Sequence, residues 1–260
     1  MNNVFQSSNN INPSNLLAFD RSFHTYDLYN NIQKIVFQDL FDSIQHRSCS
    51  SILDIGCGTG FFTHKIHDHF KSQKTLGIDR SSAMIQYANT HYKTSSLNFN
   101  TADAMNLPLD NSHHLIFSNA CLQWLSSLDP FFYRLQQVIS PDSVVACSLF
   151  LPETYQELAT AIRAAVHQNL TIPAESFCDF DSITQLVHTY FPTFKLTKKT
   201  FQYEFSSLQE LLRLIKFTGT KLSSSSWIMT KNRFQKIENL LMNKDGKIVM
   251  TYDYALLFSF

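Results

Sequence analysis

A chain of 260 residues that is 44% apolar and 16% charged has material for one large domain, or one domain with a cap, around a sizeable core. Its 21 basic and 21 acidic residues cancel, so whole-chain charge singles out no polyanionic partner. The cysteines (Cys49, Cys57, Cys121, Cys147 and Cys178) are odd in number and form no Cys-x-x-Cys pair, no apolar run reaches the ~18 residues of a membrane span, and the polar start shows no secretory signal; these features argue against a disulfide framework, a zinc site and a membrane partner, and make a reducing cytoplasm the expected compartment.

In chain order, residues 1–15 read as a flexible, Asn/Ser-rich tail. Leu28, Ile32, Ile35, Val36, Phe37 and Leu40 recur at helical spacing over 27–41. A short apolar strand, 51–55, ends at glycines and is followed by a helix over 61–70. A strand at 75–79 leads to a helix from Ser82 to about Tyr92, with Ser81 and Ser82 as candidate N-caps. Further strands are expected at 97–101, 114–119 and 143–150, with a helix over 130–139. This alternation predicts a parallel sheet with helices on both faces. After Leu151 the rhythm changes: helices are predicted at 155–168, 182–190, 207–217 and 233–242, and strands at 195–205 and 247–260 as an antiparallel pair at one sheet edge.

The chemistry concentrates at strand ends. Gly56, Gly58 and Gly60, with Cys57 between the first two, form a G-x-G-x-G loop between strand and helix, where the backbone turns sharply and a ligand approaches main-chain atoms. A nicotinamide fingerprint needs G-x-G-x-x-G, and the residue after Gly60 is Phe61. Asp54, two residues before the loop, would repel a pyrophosphate but suits a ligand carrying an ammonium and a sulfonium, either by holding the ammonium or by bracing the loop. Asp79 lies 19 residues past Gly60, where a carboxylate accepts bonds from ribose hydroxyls. Asp103, in Ala102-Asp103-Ala104, is placed to take an adenine amino group, and Asn119-Ala120 sits where a transferred group should lie. Four strand ends thus agree on S-adenosylmethionine (SAM).

These segments resemble the class I SAM-dependent methyltransferases over about residues 20–150. They are the loop itself, Gly77-Ile78-Asp79-Arg80-Ser81-Ser82-Ala83-Met84, Ala102-Asp103-Ala104-Met105-Asn106-Leu107-Pro108 and Ser118-Asn119-Ala120-Cys121-Leu122-Gln123-Trp124. The resemblance implies an α/β, Rossmann-like fold: a seven-stranded, mostly parallel sheet with the last strand inserted antiparallel, helices on both faces and a helical cap. It also implies S-adenosyl-L-methionine as cofactor, with Arg80, Met84, Ala104 and Ala120 joining the residues above at its site. The whole chain then reads as one methyltransferase domain, with a SAM-binding core at 46–150 and a substrate-side cap and sheet edge at 151–260. The segment Phe19–Asp27 resembles the N-terminal piece that closes over SAM in small-molecule methyltransferases, which adds Tyr26 to the site.

Residues 211–220 (LLRLIKFTGT) and Thr251-Tyr252-Asp253-Tyr254, with 119–124, look like the malonyl-acyl-carrier-protein O-methyltransferases that open biotin biosynthesis. Phe217-Thr218-Gly219 departs from the small Gly-Ile-Gly-like stretch of that family. The implied acceptor is the free carboxylate of a malonyl thioester on an acyl carrier protein. A carboxylate is ionised at neutral pH, so no side chain is expected to act as general base, and positioning and desolvation carry the rate. Trp124 is expected to line the acceptor side, and Arg213 and Lys216 are candidates to hold the carboxylate. Residues 195–260 carry 11 Lys/Arg against 5 Asp/Glu, a net of +6, and residues 1–194 carry 10 against 16, a net of −6; the basic part would suit an acidic carrier or is an ordinary solvated face. His64, His67 and His69 share one predicted helix and read as a surface helix; no metal is expected. Cys121 lacks the Pro-Cys context of a cytosine-attacking nucleophile and reads as a small buried residue. The segment after the fourth strand also lacks the Asn/Asp-Pro-Pro-aromatic turn of amino methylation on nucleic acid, so no nucleic-acid partner is expected. Other small-molecule methyltransferases, such as a quinone C-methyltransferase or an aconitate-type carboxyl methyltransferase, and a SAM-binding module without turnover stay open as alternatives.

Overall fold

The computed structural model describes residues 13–107, 113–166, 170–220 and 228–259. Residues 1–12, most of the expected tail, and Pro108 of the third motif lie outside the described residues.

Seven strands form one sheet in the order β3-β2-β1-β4-β5-β7-β6. They are β1 (Ser51–Ile55), β2 (Lys74–Asp79), β3 (Leu97–Thr101), β4 (Leu115–Ser118), β5 (Val144–Phe150), β6 (Lys195–Phe205) and β7 (Ile248–Phe258). The first five are parallel, while β7 runs antiparallel to both β5 and β6. β1 pairs β2 on one side and β4 on the other, so the winding direction reverses there. In such sheets ligands bind at that reversal, above the carboxyl ends of the strands.

Burial follows from this layering. All five residues of β1 are buried, as a central strand covered on both faces requires. Successive side chains point to opposite faces. Ile52, Phe117 and Ala146 join Tyr252 and Tyr254 on one face. Leu53, Ile55, Ile116 and Val145 join Ala255 and Leu257 on the other. β3 and β6 are the sheet's two edges, and on β6 Lys195, Lys198 and Lys199 are exposed, which discourages further strand pairing.

The helices are α1 (Pro13–Ser22), α2 (Tyr26–Tyr29), α3 (Asn31–Asp42), α4 (Phe61–Phe70), α5 (Ser82–His91), α6 (Leu128–Val138), α7 (Gln156–Val166), α8 (Phe180–Tyr190), α9 (Leu208–Phe217) and α10 (Lys231–Leu241). Several starts carry polar caps: the Met84 amide donates to Ser81 Oγ at 3.1 Å, Ser182 N to Asp179 Oδ1 at 2.8 Å and Glu210 N to Ser207 Oγ at 3.2 Å.

Two expectations are corrected. The tail ends earlier than residue 15, because α1 starts at Pro13, a residue suited to a first helical turn. The single helix expected over 27–41 is two, α2 and α3, parted at fully buried Asn30. Asn30 leaves helical geometry (φ −82°, ψ 34°), and its side chain donates to Asp27 Oδ1 at 3.4 Å.

Candidate functional site

A cavity opens over the carboxyl ends of the strands, roofed by α1–α2 and walled by α9 and the segment after β5. At its floor the glycine loop runs with positive φ at Gly56 (76°), Gly58 (54°) and Gly60 (80°). These values favour glycine, and the surroundings tighten the demand. A Cβ on Gly56 would come within 2.1 Å of Cys121 Sγ, and one on Gly60 within 2.8 Å of the Phe99 ring. Gly58 has open space on that side, so its backbone faces the cavity.

Asp79 ends β2 beside this loop and lines the cavity. Its Oδ2 accepts from Gly58 N at 3.0 Å and its Oδ1 from Ser81 N at 2.8 Å. Each oxygen keeps a lone pair for a ligand hydroxyl. Burial raises its pKa against the pull of those amides. Next to it an apolar slot is formed by Ile78, Met84, Ala102, Ala104 and Leu125, with Arg80 alongside. Two free acceptors beside a flat apolar slot fit a ribose and its adenine, so the residues present suit SAM.

The other predicted cofactor residues take different places. Asp54 is 2% exposed and absent from the cavity wall; Thr63 Oγ1 donates to its Oδ2 at 2.5 Å. Burial raises this carboxyl to about 7, against the Thr63 bond. Its bond to Thr63 of α4 holds Asp54 beneath the loop, away from the cavity wall and from the loop amides. Cys57 and Gly60 shape the loop without lining the cavity. Asp103 stands at the rim rather than in the wall: its Oδ1 takes the Met105 amide at 2.9 Å, and Arg80 Nε lies 3.6 Å from its Oδ2. Asn119 and Ala120 do line the cavity. The Asn119 amide is committed, however, donating to Gln33 O at 3.1 Å and accepting from Ser148 Oγ at 2.9 Å.

Tyr26 and Trp124 line the cavity. The helical segments carrying Tyr26 are tied down by side chains that sequence reasoning missed. Thr59 Oγ1 of the loop donates to Asp27 Oδ1 at 2.7 Å, and Ser81 Oγ to Asp20 Oδ1 at 2.5 Å. Phe19 meets Trp124 edge-on at 5.5 Å, and Trp124 meets Phe177 at 5.1 Å. The hydroxyl residues beside the glycines were the available signal for these ties.

Arg213 and Lys216 are not brought to the cavity. Both are exposed on the outer side of α9, whose inner side presents Ile215 and, past its end, Thr218 to the cavity. Arg213 borders a separate shallow depression with Tyr203 and Glu210, and Lys216 Nζ sits over the Phe217 ring at 5.7 Å. The role proposed for them in holding the carboxylate has no geometric support. Among the described lining residues Arg80 is the one lysine or arginine, and no His or Glu is present.

Two buried polar atoms of the wall, Gln33 Oε1 and the Tyr252 hydroxyl, make no hydrogen bond. Cys121 lines the cavity rather than being buried in the core, and burial pushes its thiol well above the ordinary range. His67 is buried, its Nδ1 at 2.9 Å from both Ser72 Oγ and Thr75 Oγ1, so its helix is not wholly a surface one. Among the described residues no group of three or more His, Cys, Asp or Glu could hold a metal, and no helix is long and apolar enough to cross a membrane.

Comparison with known proteins agrees with this geometry. Residues 52–142, β1 through the loop before β5, match a methyltransferase domain. The malonyl-[acyl-carrier protein] O-methyltransferase of Acetivibrio thermocellus is 29% identical over 254 residues, covering 91% of this chain and 89% of the relative. The protein of the same name from Hahella chejuensis is 33% identical over 167 residues, covering 62% and 60%. The solved structure of YcgJ from Bacillus subtilis shares the fold, with a TM-score of 0.61 at 14% identity over 86% of this chain and 97% of that one. With the glycine loop, Asp79 and the apolar slot in place, this chain is a SAM-dependent methyltransferase of the class I fold.

Proposed function

We propose that the chain methylates the free carboxylate of a malonyl thioester, carried on an acyl carrier protein, giving the methyl ester from which pimeloyl synthesis for biotin begins. The observation that carries this reading is the make-up of the cavity wall. Its described residues include no His, Lys or Glu, its one carboxylate, Asp79, is assigned to the ribose, and its Cys121 and tyrosines hold their protons far above neutral pH. A neutral hydroxyl, amine or carbon acid needs a base to take its proton. A carboxylate carries its charge in advance and has no proton to lose. The same observation disfavours quinone C-methylation.

Bound SAM supplies a methyl group activated by its sulfonium. Asp79 would hold the ribose, the Gly58 backbone would border the cofactor, and Met84 with Ala102 and Ala104 would take the adenine. Phe19, Trp124 and Phe177 close an apolar acceptor side and keep water from the carboxylate. Relatives named for a malonyl-carrier substrate, aligned along nine-tenths of the chain, support the acceptor and its acidic carrier. None of the five cysteines is paired, which supports a reducing cytoplasm as the compartment.

The test is methyl-labelled SAM with malonyl-carrier protein, malonyl-CoA, free diacids and RNA. Label on malonyl-carrier protein as a base-labile ester is expected. Label on free diacids alone would move the assignment to an aconitate-type carboxyl methyltransferase, and label on RNA alone would overturn it.

A further inference from the structure

We propose that Tyr155 and Tyr252 form an uncharged hydrogen-bonding cradle for the acceptor's carboxylate at the wall of the cavity, a role that deepens the function proposed above and rests on it. A carboxylate entering this cavity needs donors. Several donors of the wall are already committed. Asn119 is bonded at both ends of its amide, and Gln123 Nε2 donates to Ala120 O at 2.8 Å. Thr154 Oγ1 donates to Asp253 O at 2.9 Å, and Thr218 Oγ1 to Leu214 O at 2.8 Å.

Tyr252 is different. It is 1% exposed, lines the cavity, and its hydroxyl completes no hydrogen bond, having only the Tyr155 hydroxyl beside it. Its ring is held firmly: Phe201 stacks on it at 5.1 Å with 9° between planes, and Tyr155 meets it edge-on at 4.9 Å. Buried tyrosine hydroxyls ordinarily have a partner, and an orphan one calls for an explanation. Tyr155 is unusual in another way. Its φ is +65°, a left-handed backbone rare for a bulky residue. Its amide donates to Thr251 O at 3.1 Å and its carbonyl accepts from Ala159 N at 3.0 Å, which locks the strained turn and sets the phenol against Tyr252. The two hydroxyls interact without completing hydrogen-bond geometry, and burial pushes Tyr155 up to about 12. Both phenols therefore remain protonated donors across the working pH range.

Neutral donors suit this chemistry. Two hydroxyls orient the group and leave two of its four lone-pair sites free, without the full positive charge by which a guanidinium would weaken the nucleophile. The fit is specific to an acid, since a chain ending in methyl would leave both hydroxyls unpaired. Both phenols line the cavity, Tyr155 partly buried and Tyr252 almost wholly so, and both hydroxyls are assigned to the carboxylate.

The experiment compares Tyr155→Phe, Tyr252→Phe and the double variant of the full chain. Four quantities are read: kcat and KM for a malonyl thioester, competitive inhibition by the butyryl thioester that lacks the carboxylate, SAM binding by calorimetry, and Tm. The expected result is a KM raised about tenfold or more in each single variant, with butyryl inhibition and SAM affinity unchanged. Tm of Tyr252→Phe should change little, because the deleted hydroxyl completes no hydrogen bond within the protein. Unchanged malonyl KM, or malonyl and butyryl affinities falling together, would overturn the cradle while leaving the malonyl reading intact. If the wild-type chain methylates a free diacid but not malonyl thioesters, the acceptor assignment fails. The cradle is then decided by the same ratio for that diacid against its monoamide: loss for the diacid alone upholds it, and equal loss or none overturns it.

Discussion

At Asp79 a single carboxylate joins three pieces of chain: its own strand, the glycine loop through the Gly58 amide, and the start of α5 through the Ser81 amide. Asp79→Ala therefore removes the ribose acceptor and orphans two amides at once. SAM affinity should fall about ten- to hundredfold by calorimetry, and an unchanged affinity would move the ribose elsewhere. Asp54 works differently, beneath the loop. Its carboxyl titrates near 7 in the folded chain against an ordinary 3.8. Below 3.8 both folded and unfolded chains hold the proton, and this carboxyl makes no difference. Between 3.8 and 7 the unfolded chain releases it while the folded chain keeps it, so stability falls as pH rises through that window and levels off above it. Asp54→Asn should flatten that fall, by an amount on the order of a few kcal/mol. Denaturant melts of both proteins at acid and neutral pH, without SAM, measure it; parallel curves would show that the carboxyl stays ionised in the fold. Both aspartates were legible in sequence because their spacing to the glycines is local. Their separate roles were not, because the Thr63 bond that draws Asp54 downward depends on how α4 packs.

Among elements, α9 shows best what local patterning carries. Leu211, Leu214, Ile215 and Thr218 recur at i, i+3, i+4 and i+7, and all four are buried. Arg213 and Lys216 fall between them and point outward. That period was readable in the sequence; choosing the cations for their charge overrode it. Leu211→Ala should cost about 2–5 kcal/mol of stability. Arg213→Ala and Lys216→Ala should each stay within about 0.5 kcal/mol, with KM for a carrier-free malonyl thioester unchanged. A raised KM there would return them to the site. The roof was less legible. α1 mixes polar and apolar residues, and the place of α1 and α2 over the cavity rests on distant partners: Ser81 for Asp20 of α1, Thr59 for Asp27 of α2, and Phe217 O for the hydroxyl of Thr25, just before α2, at 3.2 Å. Periodicity reports burial along one element and says nothing of such cross-chain ties.

Over the whole molecule, strand positions were readable to within a residue or two. The sheet order was not contained in periodicity; the place of β7 between β5 and β6 came from the family resemblance. The chain's charge is also unevenly laid out. The net +6 lies in residues 195–260 and the net −6 before them, so the halves differ by twelve charges while the total is zero. Lys198 and Lys199 pair with Glu153 (3.2 Å) and Asp39 (2.8 Å), which leaves part of that basic surface internally neutralised. Arg213, Lys231 and Lys216 remain exposed on α9 and at the start of α10. An acidic carrier approaching them gains long-range attraction, while a short thioester with no carrier does not. The two acceptors should therefore respond differently to salt. Exposed charges are screened over about 10 Å at 0.1 M ionic strength, so raising salt from about 50 to about 300 mM should lift KM for malonyl-carrier protein severalfold, mainly through slower association. KM for malonyl-N-acetylcysteamine should barely move, since its one carboxylate meets the cavity wall out of bulk water. Equal salt dependence for both would mean that the carrier contributes no electrostatic docking, and that the basic C-terminal part is only a solvated face.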